Sequence, residues 1–372
     1  MIIVKEVKSR KEKKDFLNFP LKLYHNNPYF VPPLYVDEKQ IFNKNYHYYD
    51  TSKAIYFIAY DDKKIVGRIS GILQYASNER WNQKRVRFTR FDCIDNQDVA
   101  NQLFQAVETW AKSNGMNEVA GPLGFSDLER EGLLIEGFDQ LSTFEEQYNY
   151  DYYQRLIENC GYVKEVDWVE RKLKLREERD ERLKRLSSLM LKRYNLRIAY
   201  CKSINDFLKK YQDDFFEIVD KTYENIYQTV PFTEKMKENL VKSFKLIVNE
   251  KHVATIVDEN DKVVAFGLCF PSIAKTVNKC KGHLTPIGII RLLHAIKHPH
   301  VIDLGLIGVL PEYQMKGIAS ALISAVMDML ENKEIEYAET NLNLEDNHNI
   351  QNQWKSFDSV IHKRRRAFVK KI

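Results

Sequence analysis

Six residues, Gln314, Met315, Lys316, Gly317, Ile318 and Ala319, separate an apolar run that reads as a strand (VIDLGLIGV) from one that reads as a helix (ASALISAVMDML). The first turn of such a helix has N–H groups without intrahelical partners, and its macrodipole adds partial positive charge, so the turn is a cradle for an anion such as a phosphate. Lys316 adds a full positive charge. Gly317 is either the glycine of a tight strand-to-helix connection or an opening for close backbone approach to a ligand. Three carboxylates near this run are candidates for a general base. Asp303 interrupts the apolar strand and must reach solvent or a partner if buried, Glu312 adjoins the turn, and Glu339 lies on the strand read over 336–341.

The residues before the turn narrow the chemistry. Val309, Leu310, Pro311, Glu312 and Tyr313 lead into Gln314, Gly317 and Ala319, and the whole run resembles the V-x-P-x-x-Q/R-x-x-G-x-G/A signature of the GCN5-related N-acetyltransferases (GNAT). It has neither the G-x-G-x-x-G nor the G-K-[ST] pattern of other nucleotide sites. The resemblance implies that backbone amides of 314–319 hold the pyrophosphate of acetyl-CoA or another acyl-CoA, and that the strand carrying Gly308 and Val309 pairs with the pantetheine arm. It implies a pantetheine contact for Asn347. In the family a tyrosine seven residues after that asparagine acts as general acid, and here the position is Trp354. Acyl transfer to an amine needs the amine deprotonated, the carbonyl polarised and the reactants held together. A thiolate leaving group is undemanding, with an ordinary pKa of about 8.5.

The elements that must position these residues recur along the chain. AYDDKKIVGRI and VDENDKVVAFGL both read as strand, acidic turn, lysine and apolar strand, with Gly67 and Gly267 in like positions. The expected fold is α/β with a mixed sheet in two tandem GNAT-like domains. Residues 1–175 form a degenerate first copy, 176–195 a connecting helix, and 196–372 the copy with the acyl-CoA site. The first copy has Asn96, Gln97, Asp98 and Val99 where the second has its turn, with no glycine and with Asp95 and Asp98 opposing a diphosphate, so it is expected to bind no CoA. Its loop 121–139, charged at Asp127, Glu129, Arg130, Glu131 and Glu136, reads first as a surface loop, with contact to a polar acceptor as the functional alternative.

A chain of 372 residues with 44% hydrophobic and 29% charged residues is a globular protein of more than one core, which excludes wholesale disorder. Five scattered cysteines without a C-x-x-C pair argue against a disulfide framework and a thiolate metal site, and point to the cytoplasm. No run of 18 apolar residues implies a membrane span. Between Ala274 and Val301 a helix is expected over 286–297, with core packing as the default reading and an acyl-binding wall or membrane contact as the others. His294, His298 and His300 lack a carboxylate cluster and are not read as metal ligands. HKRRRAFVKKI at the C-terminus reads as an edge strand with a solvated face and not as a nucleic-acid patch. The sequence as a whole reads as an acyl-CoA-dependent N-acyltransferase acting on a small-molecule or peptide amine. The alternatives are a CoA-bound sensor or interaction protein without catalysis, and an aminoacyl transferase of the peptidoglycan-bridge type.

Overall fold

The computed structural model describes residues 1–177 and 181–372. In chain order the first elements are β1 (Ile2–Glu6), α1 (Arg10–Leu23), α2 (Tyr35–Glu38), β2 (Ser52–Asp61), β3 (Lys64–Gln74), α3 (Tyr75–Arg80), β4 (Arg85–Cys93), α4 (Gln97–Ser113), β5 (Glu118–Gly121), β6 (Leu133–Glu136), α5 (Tyr152–Asn159) and β7 (Val163–Lys174). They are followed by α6 (Glu181–Arg193), β8 (Arg197–Ile198), α7 (Ile204–Tyr223), α8 (Glu234–Ile247), β9 (Val253–Val257), β10 (Val263–Pro271), α9 (Ala274–Cys280) and α10 (Pro286–Lys297). The last are β11 (Val301–Val309), α11 (Ala319–Leu330), β12 (Tyr337–Thr340), β13 (Asn343–Leu344), α12 (His348–Gln353) and β14 (Asp358–Lys371).

These elements form two compact units that differ from the contiguous division expected from the sequence. The first holds Met1–Val169, Ile273–Leu292 and His362–Ile372, the second Glu170–Ser272 and Leu293–Ile361. Hydrogen bonds explain the exchange of Ile273–Leu292, since Asn278 Nδ2 donates to Phe30 O at 2.7 Å and Tyr35 N–H to Gly282 O at 2.9 Å. The expected connecting helix begins at Glu181 and packs on α11 inside the second unit. Glu178, Arg179 and Asp180, at the start of that expected helix, lie outside the described residues.

In the first unit the hairpin β2–β3 is extended by β4, and β4 pairs in parallel with β5 from Arg85↔Glu118 to Arg87↔Ala120. The connection between them is α4, whose Val99, Leu103, Val107 and Ala111 recur at helical spacing and are fully buried. β14 does not form the expected edge strand. It pairs with β5 through Phe368↔Gly121 and Val369↔Ala120 and has β7 on its other side. Three of its basic residues are engaged internally, with Lys363 and Arg365 buried and Arg366 bidentate to Asp167 at 2.7 and 2.9 Å, while Lys371 is exposed.

The second unit repeats the pattern. The hairpin β9–β10 is extended by β11, which pairs in parallel with β12, and α11 makes the crossover. In both copies the middle pair carries a register shift, between Arg68 and Ser70 in one and between Gly267 and Cys269 in the other. A bulge at the same place in two copies of one pattern is a feature of the fold. α7 starts at the Ser203 cap and buries Phe207, Tyr211, Phe215 and Ile218 on the face of β10 and β11. Gly308 is where α7 comes closest, since a Cβ there would lie 2.8 Å from Ile218 Cγ2.

One expectation fails clearly. α10 was expected to pack into a core, yet Ile287, Ile290 and Leu293 are 63%, 67% and 59% exposed and only Gly288 of the helix is buried.

Candidate functional site

In the second unit β11 and β12 are paired from Val301↔Tyr337 to Leu304↔Thr340, and one more bond joins Asn341 N–H to Leu304 O. There β12 ends, while β11 runs on to Val309. The two strands thus part, leaving an edge of β11 without a strand beside it. Ile307 N–H donates to the Tyr223 hydroxyl at 3.2 Å, and that hydroxyl donates to Ile307 O at 3.1 Å. Both backbone groups of Ile307 therefore point away from β10. In an antiparallel pair the direction repeats every second residue, and Gly267↔Ile307 and Ala265↔Val309 are in one register, so Val309 faces the same open edge. Gln314 Nε2 donates to Val309 O at 3.0 Å, which ties the following turn to this edge. An extended chain with amide groups has the geometry to pair there.

The turn that follows is built from left-handed backbone. Met315 and Gly317 have φ of 60° and 75°, and α11 starts without a side-chain cap. Among the described residues the N–H groups of 315–319 meet no acceptor in the protein. Five consecutive free donors at the head of a helix concentrate partial positive charge on a small surface. Lys316 Nζ lies 5.1 Å from the ring centroids of Tyr194 and of Tyr313, held as a cation between two π faces. A Cβ at Gly317 would stand 3.2 Å from Met190 Cγ on α6. Gly317 is thus required by conformation and a close neighbour, and does not simply border solvent.

The equivalent place in the first unit is closed. Asn96 caps α4 by accepting from the N–H groups of Asp98 and Val99, so the helix satisfies its own donors. The edge of β4 is filled by the chain itself, since Leu123 N–H donates to Phe88 O at 2.9 Å and a Cβ at Gly121 would lie 2.3 Å from that oxygen. Within loop 121–139, Glu136 is exposed, while Glu129 and Arg130 are engaged inside the first unit. Glu129 accepts from the Tyr46 hydroxyl at 2.8 Å and from Phe125 N–H at 2.9 Å, and Arg130 donates to Phe144 O at 2.7 Å.

Asp303 and Glu339 are paired residues on β11 and β12, and Glu339 is in turn paired with Lys172 on β7. Their neighbours Ile302, Leu304 and Ala338 belong to the apolar cluster under α11, so the two acids share the opposite face of the sheet. Both are buried, at 3% and 5% exposure. Their charge is felt by nearby groups. Burial and then Asp303 push the Cys269 thiol up to about 12, while burial, Glu339 and Asp303 hold the Tyr337 hydroxyl above its ordinary range. Lys172 Nζ lies over the Tyr337 ring at 5.0 Å. The acid pair sits one residue before the strands part. Glu312, by contrast, is exposed.

Asn347 is the N-cap of α12, its Oδ1 accepting from Ile350 N–H at 3.3 Å. Trp354 is a core residue, packed with Ile323, Val326 and Phe357, and its Nε1 donates to Asn343 Oδ1 at 2.8 Å. Its position supplies no hydroxyl. Tyr223, the hydroxyl that does reach the parted strands, has no sequence signal beyond being the last residue of α7.

Residues 212–352 match the model of the acetyltransferase (GNAT) family. The chain is 28% identical to protein YghO of Escherichia coli (strain K12), over 100% of this chain and 95% of that protein. It is 26% identical to a bacterial ceramide synthase of Caulobacter vibrioides, over 78% of this chain and 75% of that protein. Among solved structures, a tandem GNAT protein from the clavulanic acid biosynthesis pathway superposes with a TM-score of 0.58 at 9% identity, covering 100% of this chain and 98% of the other. A GCN5-related N-acetyltransferase from Sphaerobacter thermophilus gives 0.52 at 11% identity, covering 100% and 95%.

Proposed function

We propose an acyl-CoA-dependent N-acyltransferase with one co-substrate site, in the second unit, for a chain whose residues 212–352 match the GNAT family model and which shares the fold of a tandem GNAT protein. The observation that carries this reading is the run of free N–H groups over 315–319 directly after the open edge at Ile307 and Val309. A diphosphate fits the first and an extended diamide arm the second, in the order in which CoA carries them. Acetyl-CoA or a longer acyl-CoA supplies the activated acyl group when bound. Ile307 N–H then becomes the donor available to a carbonyl of the pantetheine arm at this edge.

Asp303 and Glu339 are the candidates to accept the proton of the amine. Both are buried on one face of the sheet, one residue before the strands part, which puts either carboxylate beside the edge where the amine would be acylated. Asn347 is retained as a pantetheine contact through its amide nitrogen, since the oxygen is engaged in the helix cap. For the acceptor, the relative named a ceramide synthase makes a long-chain amine the first class to test, ahead of polar amines and peptides.

The test is calorimetry of the full chain with CoA, acetyl-CoA and palmitoyl-CoA, then a thiol-release screen over long-chain, polar and peptide amines. Binding followed by amine-dependent thiol release supports the reading. Binding without release under any amine would favour a CoA-bound sensor, and no binding at all would overturn the co-substrate site.

A further inference from the structure

Helix α10 has an apolar side exposed to solvent. Its outward side carries Ile287, Ile290 and Leu293, spaced three residues apart and each more than half exposed. Its inward side is Gly288, with Leu292, Ala295 and Ile296 half-buried. Three exposed β- and γ-branched side chains on consecutive turns of one helix form a contiguous apolar stripe, which water disfavours. The charges in its own segment have one sign. From Ala274 to Val301 the chain has Lys275, Lys279, Lys281, Arg291 and Lys297 and no aspartate or glutamate. Arg291 and Lys297 stand on α10 itself, both exposed.

We propose that α10 docks this protein onto an anionic lipid surface. The stripe fits the boundary between headgroups and acyl chains, and arginine and lysine beside it reach up to lipid phosphates along their own methylene stems. A helix of 12 residues is about 18 Å long, so it lies in the interface and does not cross it. Among the described residues no helix is long and apolar enough to span a membrane. A second copy of the chain fits this stripe less well. A two-fold contact through α10 would set Arg291 and Lys297 against their own counterparts, with no acid in the segment to offset them. Lipid phosphates supply the missing negative charge.

The inference stands independently of the acyl-CoA reading and is tested on the full chain by co-sedimentation with vesicles. Vesicles of phosphatidylcholine with phosphatidylglycerol should pull the protein down, vesicles of phosphatidylcholine alone should not, and added salt should release it. Ile287→Ser with Ile290→Ser changes two exposed positions, so the melting temperature should hold while vesicle binding falls about tenfold or more. Arg291→Gln and Lys297→Gln should each weaken binding about fivefold and flatten the salt dependence. A wild-type protein that stays in the supernatant with both vesicle types, or a serine pair that binds as well as wild type, would overturn the proposal. So would analytical ultracentrifugation in which the wild type is a dimer and the serine pair a monomer, with no vesicle binding by either, since the stripe would then belong to a second copy.

Discussion

The Tyr223 hydroxyl accepts from the N–H of Ile307 at 3.2 Å and donates to the carbonyl of the same residue at 3.1 Å, so one side chain satisfies both polar groups of one strand residue. It does so at the edge where β11 has lost its partner strand, and so stands in for the amide that a pantetheine arm would bring. A co-substrate pairing with Ile307 must displace it, at the cost of about 1 kcal/mol for the bonds given up. Tyr223→Phe should therefore bind acetyl-CoA about fivefold more tightly than wild type in calorimetry. Weaker binding would mean that the hydroxyl contacts the ligand and does not stand in its way.

The turn at 314–319 separates backbone from side-chain contributions. Gly317 has φ 75° and Met190 against it, so Gly317→Ala imposes strain of about 1–3 kcal/mol and tilts the free N–H groups. CoA affinity should fall about tenfold or more. Lys316→Ala leaves the backbone donors in place and should cost only about two- to fivefold, because one half-buried cation already held by two aromatic rings adds modestly to them. Titrating CoA into both variants in parallel checks the order, and equal losses would contradict the assignment.

Asp303 and Glu339 are register partners on one face of the sheet, one residue before their strands part. If one of these acids takes the amine proton, its amide variant, Asp303→Asn or Glu339→Gln, should lower amine-dependent thiol release by about 10²–10⁴ while acetyl-CoA affinity stays within about twofold. Loss of co-substrate binding in step with rate would make the pair structural.

The sequence made some of this legible and hid the rest for identifiable reasons. Gln314 and Gly317 are visible because the turn imposes a motif, and the repeat is visible because two hairpins carry the same acidic turn. Trp354 is visible only as a departure, and its reason lies in the packing against Phe357 and Val326. Tyr223 lies some 84 residues from Ile307, and nothing local marks a tyrosine that closes one helix as the partner of a distant strand edge. The fold division was hidden for a similar reason, since β14 joins the first unit through pairings of more than 200 residues' separation. In α10, apolar residues around most of the circumference suggested burial, and periodicity says nothing about whether a neighbour covers the outer side.

His252 gives the second unit a pH-dependent stability. Burial holds its imidazole at about 4, from an ordinary value of 6.5, and its Nδ1 has no partner. The folded state thus keeps the ring neutral where the unfolded chain protonates it. Stability from this group is present above about pH 6.5 and is lost progressively as pH falls toward 4. His252→Phe removes the titration, so the decline of melting temperature between pH 6.5 and 4 should be shallower in the variant than in wild type. Identical slopes would show that His252 does not contribute.

The number of co-substrate molecules per chain tests the relation between the two copies. Both have the crossover from a parallel strand through a helix, and a simple doubling would give two sites. The first copy lacks each of the three features that the second offers. Asn96 consumes the donors at the head of α4, whereas α11 has no side-chain cap. Leu123 N–H occupies the strand edge at Phe88, whereas only a displaceable hydroxyl occupies Ile307. Asp98 lies in the first turn of α4, where its charge opposes a diphosphate, whereas the first turn of α11 has no acid. Titration of the full chain with acetyl-CoA should therefore give one site, and Gly317→Glu, which combines backbone strain with a like charge, should abolish it entirely. Two equivalent sites in wild type, or one site surviving in Gly317→Glu, would assign co-substrate binding to the first copy as well.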